Sequence, residues 1–225
     1  MIEGRSLLAI IPARSGSKRV PQKNIQTVAG KPLVAWTIEE AKKSKYIDRL
    51  ILSSDDEEII KIAKDWGCEV PFMRPKELAQ DSTLTIEPVL HAMKRLPKHD
   101  YVVLLQPTSP LRQVTDIDGC IERCVQEKAD SCVSVTEVDR NPYGVFSLDL
   151  LNRLQPLAIK LYILNGAVYV AKWEWLLINK TLVTHKQTLA YLMPRERSID
   201  VDTKLDLRIA EFLKNSDVAN AHSRS

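Results

Sequence analysis

No apolar run in this sequence approaches the roughly twenty residues that cross a bilayer. The N-terminus lacks an apolar stretch flanked like a secretion signal, so a cytoplasmic protein without membrane attachment is expected. Net charge is only +3 and aromatic residues make up 6% of the chain. No aromatic side chains interleave with the basic ones, which argues against a nucleic-acid binder. Cysteine is sparse: Cys68, Cys120, Cys124 and Cys132. Cys120 and Cys124 could share a helical face, but no further Cys or His stands near enough to complete a metal site. Free, buried thiols are expected instead. There is no internal repeat and no low-complexity tract. A soluble globular domain remains, because 225 residues can bury a real core and 44% apolar residues is an ordinary share.

What is present is alternation. LLAIIPA (7–13) reads as a strand buried on both faces. Further strands are expected at 49–54, 68–74, 101–106 and 131–138, with helices at 32–44, 55–67, 85–96 and 116–129. This order implies an α/β fold: a mostly parallel sheet with helices on both faces. From 139 the pattern weakens, then resumes with a strand and helix over 165–176. A strand-like IDVD and a capped helix follow within 198–215. The opening MIEGR matches a protease cleavage sequence, so residues 1–6 are set aside as a tag or disordered N-terminus. Residues 216–225 are polar and read as a disordered tail.

Sheets of this kind bind ligands beyond the carboxyl ends of their strands. The loop after the first strand carries Arg14, Lys18, Arg19 and Lys23, with Gly16 between Ser15 and Ser17. Cations and free backbone N–H groups together suit phosphate. The G-K-[ST] ending of a Walker A loop is missing. A solvated basic turn is the plainer alternative. Asp200 and Asp202, two apart, would share one face of a strand, and two carboxylates with substrate phosphates suit Mg²⁺. Helix capping by Asp202 competes with that reading but leaves Asp200 unexplained. LLQPTSPLR (104–112) offers Gln106, Thr108, Ser109 and Arg112, as a binding loop or as a simple turn. Arg74 opens a polar loop and could meet a base or a phosphate. The acids of SSDDEE (53–58) read as a helix cap.

These segments, in this order, resemble the CMP-sialic acid synthetases: IIPARSGSKRVPQKNI, KPLVAWTIEEA, LILSSDD, RPKELAQDST, LLQPTSPLR, NGAVYV and SIDVDTKLDL. That acylneuraminate cytidylyltransferase family includes enzymes for legionaminic and pseudaminic acid. The resemblance runs from about residue 7 to 214. It implies a Rossmann-like nucleotidyltransferase fold with a small dimerisation extension. The nucleotide-binding core would span 7–138, the extension 139–165, and the completed core with its metal site 166–215. The implied reaction joins CTP and a nonulosonic acid into a CMP-sugar and releases pyrophosphate. Arg14, Lys23 and Asp202 would be catalytic, and Asp200 and Asp202 would hold Mg²⁺. Ala13, Lys18, Asn24, Arg74, Thr83, Thr85, Gln106, Thr108, Ser109 and Asn165 would bind substrate. A homodimer is implied, with the extension crossing to the second subunit. Transfer to another sugar acid such as Kdo, or CTP binding without catalysis, are the alternatives.

The resemblance breaks in one region. Relatives carry an arginine-rich stretch before the N-G-A motif, and some have arginine two residues ahead of its asparagine. Here Ile163 holds that position, and only Arg153 and Lys160 are basic nearby. An apolar side chain there suits a methyl or deoxy group, hence a legionaminic-type sugar.

Overall fold

The computed structural model describes residues 1–138, 146–156 and 160–222. Strand β1 (Leu7–Pro12) is buried along its length, and its alternate residues leave in opposite directions. Leu7, Ala9 and Ile11 pack with helices α1 (Leu33–Lys42), α2 (Glu57–Asp65) and α4 (Val114–Gln126). Leu8 and Ile10 pack on the other face with α3 (Ile86–Arg95) and α5 (Trp173–Asn179). A strand covered on both sides has no wet face, which is why its sequence is unbroken apolar.

Two short pairs stand outside the main sheet: β2 (Thr27–Val28) with β3 (Lys31–Pro32), and β7 (Phe146–Leu148) with β8 (Leu154–Pro156). The main sheet is built from β1, β4 (Arg49–Ser53), β5 (Tyr101–Leu105), β6 (Ser131–Glu137), β9 (Tyr162–Lys172) and β10 (Leu189–Leu192). Their order is β10-β6-β9-β5-β1-β4. All pairings are parallel except those of β9, which runs backwards between β5 and β6. Helices on both faces of a mostly parallel sheet agree with the alternation in the sequence. The four cysteines are free and buried.

The structure departs from the sequence reading in four places. Residues 68–74 form no strand ladder, only single bridges from Glu69 to Ile51 and from Met73 to Ser54. Pro71, between them, has no N–H to give a ladder. IDVD lies outside the sheet, and the sheet's edge strand is instead β10. Residues set aside at the N-terminus fold into the domain: Ile2 is 7% exposed within the first cluster. The Met1 ammonium donates to the Tyr46 carbonyl and to Asp48. Finally, helix α6 (Lys204–His222) continues past residue 215 into the stretch read as tail. Residues 139–145 and 157–159 of the expected extension, and 223–225 of the tail, lie outside the described residues.

Candidate active site

The carboxyl ends of β1 and β5 open into a cavity of about 330 Å³. Residues 74–88 and 200–202 close it from the sides. Ten of the residues singled out from the sequence stand on its wall: Arg14, Lys23, Asn24, Arg74, Thr83, Thr85, Gln106, Thr108, Asp200 and Asp202. Parallel strands deliver their following loops to one edge, which is why positions so far apart in sequence meet there.

The first loop is held as a set of ion pairs. Lys23, whose side chain is only 14% exposed, donates to the Val201 carbonyl at 2.7 Å and to Asp202 at 2.9 Å. Arg14 lies 2.8 Å from Asp81, and Lys18 lies 2.7 Å from the other oxygen of the same carboxylate. Lys18 and Arg14 hold the Asp81 carboxyl below its usual range. The Asn24 side chain donates to the Arg14 carbonyl and braces the loop from beneath. Loop cations that grip aspartates in this way are placed to grip phosphate oxygens.

Asp200 and Asp202 both reach the cavity although no strand carries them. Val201 between them is buried and donates its N–H to the Thr108 carbonyl, so the flanking side chains point the other way. The capping alternative for Asp202 does not hold. Thr203 caps α6, its N–H donating to Asp206 while the Asp206 N–H returns to the Thr203 hydroxyl. Asp202 is thereby left without a capping duty. Loss of hydration raises the Asp200 carboxyl above its ordinary value, and Asp202 adds to the rise against a Thr108 hydrogen bond and Lys23. A desolvated carboxylate beside a second one fits a divalent cation that also takes phosphate oxygens. No group of three or more acids, histidines or cysteines among the described residues is placed to hold a metal ion by itself, so substrate would supply the other ligands.

Two buried arginines set the walls. Arg74, 3% exposed, meets Asp55 at 3.1 Å. Arg112 is fully buried and donates to the carbonyls of Gln106 and Ala167 and to the Thr37 hydroxyl. It is a brace behind Gln106 rather than a ligand group. Gly166, at φ +73°, lies against the Gln106 carboxamide, and a Cβ there would sit 2.4 Å from Oε1. Gly166→Ala should therefore fold but displace Gln106, cutting kcat/KM by about ten- to a hundredfold. Steady-state kinetics alongside a circular dichroism spectrum checks both halves of that statement.

Four of the fourteen residues given catalytic, binding or metal roles from the sequence are not on the wall. Ala13 is buried, its N–H donating to the Ser53 carbonyl. Lys18 points to Asp81 with its side chain 84% exposed. Ser109 is buried behind the loop. The Asn165 carboxamide is spent internally, accepting from Ser134 and donating to Ser198. Sequence reasoning missed Asp55, Asp81 and Gly166. Asp81 stood in a quoted motif, but no spacing rule pairs it with Arg14, 67 positions earlier in the chain.

A family model described as "Cytidylyltransferase" matches residues 8–216. The chain belongs to the cytidylyltransferase family. Three curated members are each 34% identical to it. The CMP-N,N'-diacetyllegionaminic acid synthase of Legionella pneumophila aligns over 92% of this chain and 95% of its own. The pseudaminic acid cytidylyltransferase of Campylobacter jejuni gives the same coverage. The N-acylneuraminate cytidylyltransferase of Escherichia coli aligns over 91% of this chain and 51% of its own. Among solved structures, a CMP:2-keto-3-deoxy-manno-octonic acid synthetase complexed with CTP superposes with a TM-score of 0.72. It covers 94% of this cytidylyltransferase and 99% of that chain at 16% identity, a likeness of fold.

Proposed function

We propose that this protein transfers a cytidylyl group from CTP to a nonulosonic acid, giving the CMP-sugar and pyrophosphate. One observation carries the reading: a cationic loop, a carboxylate pair and a polar wall share one cavity. The three relatives act on different sugar acids at equal identity, so identity does not choose among them. Arg14 and Lys23 would hold the triphosphate and offset charge on the departing pyrophosphate. Arg74, Thr83 and Thr85 would lie around cytosine and ribose, and Gln106 would face the sugar. Asp200 and Asp202 would hold Mg²⁺, which supplies charge neutralisation at the phosphates. Asp202 is also our assignment for accepting the proton of the anomeric hydroxyl.

The acceptor side is the finer part of the proposal. Ile163 is 57% exposed at the start of β9. Its apolar surface supports a deoxy, legionaminic-type sugar. Leu164 beside it, and Leu150, Leu151 and Leu154 around the separate β7–β8 pair, are exposed as well. Exposed apolar side chains in this number support a second copy of the chain covering them, as a homodimer. No described helix is long and apolar enough to cross a membrane. Four free thiols suit the cytoplasm, where we place the protein.

Pyrophosphate release tests the reading, with CTP and Mg²⁺ against sialic, legionaminic, pseudaminic and Kdo acids. Turnover best on legionaminic acid is expected. Preference for sialic acid would remove the role given to Ile163, and no turnover on any sugar would remove the transferase reading. The Asp81 contacts add a further expectation. Its carboxylate occupies the partners that a triphosphate needs, so Asp81→Asn should tighten CTP binding by about three- to tenfold, more at low salt. Titration calorimetry at two ionic strengths measures this.

A further inference from the structure

Asp55 and Asp56 are adjacent acids with separate duties. Asp56 caps α2, accepting the N–H groups of Glu58 and Ile59. Asp55 is therefore not needed as a cap. Its side chain, 7% exposed, instead gathers three donors. Oδ1 accepts the Ser15 N–H and an Arg74 Nη2–H, each at 3.1 Å, and Oδ2 accepts the Ser15 hydroxyl at 2.7 Å. Arg74 is tied to the same strand end a second time, its own N–H donating to the Ser54 carbonyl at 2.7 Å. One carboxylate thus joins the loop after β1, the loop after β4 and the residue that opens the 74–85 segment.

The charge of Asp55 works against a phosphate-binding loop, because it repels the ligand the loop would hold. What offsets that cost is geometry. Arg74 stands on the cavity wall with its guanidinium pinned on one edge by Asp55. Ser15 sits between Arg14 and Gly16, both on the wall, so fixing its backbone fixes theirs. We propose that Asp55 is a positioning residue that couples the Arg74 end of the nucleotide site to the phosphate-loop end. The proposal rests on the reading of this cavity as the CTP site.

A double-mutant cycle on CTP binding tests it, by calorimetry with Mg²⁺ and no sugar. Asp55→Asn and Arg74→Ala should each weaken CTP by about tenfold, as loss of one oriented charged hydrogen bond does. Together they should lose no more than about threefold beyond Arg74→Ala, the share Asp55 contributes through Ser15 rather than through that arginine. Full additivity, or wild-type affinity in Asp55→Asn, overturns the coupling. Should Asp55→Asn fail to fold, Ser15→Ala keeps the ion pair and removes one clamp bond. A loss of about threefold supports the clamp, and unchanged CTP affinity overturns it. If the wild-type protein itself binds no CTP, the nucleotide reading fails first, which separates that failure from failure of the clamp.

Discussion

Asp200→Asn is expected to lower cytidylyl transfer by about three powers of ten or more while making the ligand-free protein more heat-stable. Activity falls because one of two carboxylates that would hold the divalent cation is gone. Stability rises for a separate reason. Loss of hydration and the neighbouring Asp202 raise the folded-state Asp200 carboxyl above 3.8. A raised carboxyl contributes stability that is complete below its unfolded value and is lost as pH rises through its folded one. At neutral pH the ionised group is thus a cost to the fold, which a neutral amide of the same shape removes. Scanning calorimetry should show the substituted protein melting higher at pH 7, with the gap closing toward pH 4. Mg²⁺ with CTP should raise the melting temperature of the wild type and not of the variant. A variant that melts lower at pH 7, or retains turnover in saturating Mg²⁺, would defeat this account.

Arg112→Met should cost about 3–5 kcal/mol, enough to lower the melting temperature by about 10 °C. The side chain is buried, and its removal strands the Gln106 and Ala167 carbonyls and the Thr37 hydroxyl without that donor. Burial lowers the guanidinium to about 10, with Glu40 and Asp116 opposing the shift, so it remains charged at pH 7. Arg112→Lys should recover little, because an ammonium cannot reproduce the planar fork that reaches these acceptors together. Denaturant melts of both variants measure the loss. A cost under about 1 kcal/mol for Met would mean the carbonyls find other donors.

The sheet was legible because each buried strand is a short apolar run and each helix repeats at its own period. The loops that reach the cavity were legible from position alone, since whatever follows a parallel strand arrives at the same edge. What stayed hidden was set by contacts across sequence. Arg112 looked like a loop cation, and only the packing of β9 and α1 around the end of β5 shows three acceptors waiting for it. Asp55 and Asp56 looked equivalent as acids before a helix, and tertiary contact separates clamp from cap. Asn165 was credited to the ligand, but Ser134 and Ser198 claim its carboxamide. β10 escaped notice because its LAYL is half-exposed and lies on the sheet's edge.

The reversed direction of β9 has a consequence for how such a protein can diversify. A parallel strand would have entered the sheet at the edge far from the cavity. β9 enters at the cavity end of the sheet, so the chain that precedes it is delivered to that end. Its ladder with β5, from Tyr101 opposite Lys172 to Leu105 opposite Val168, lies downstream of that entry. Lengthening, shortening or grafting the segment ahead of β9 therefore leaves the register of the core untouched. If that segment meets the sugar, as proposed, specificity would be free to drift, or to be transplanted between relatives, without renegotiating the half of the molecule that would hold the nucleotide.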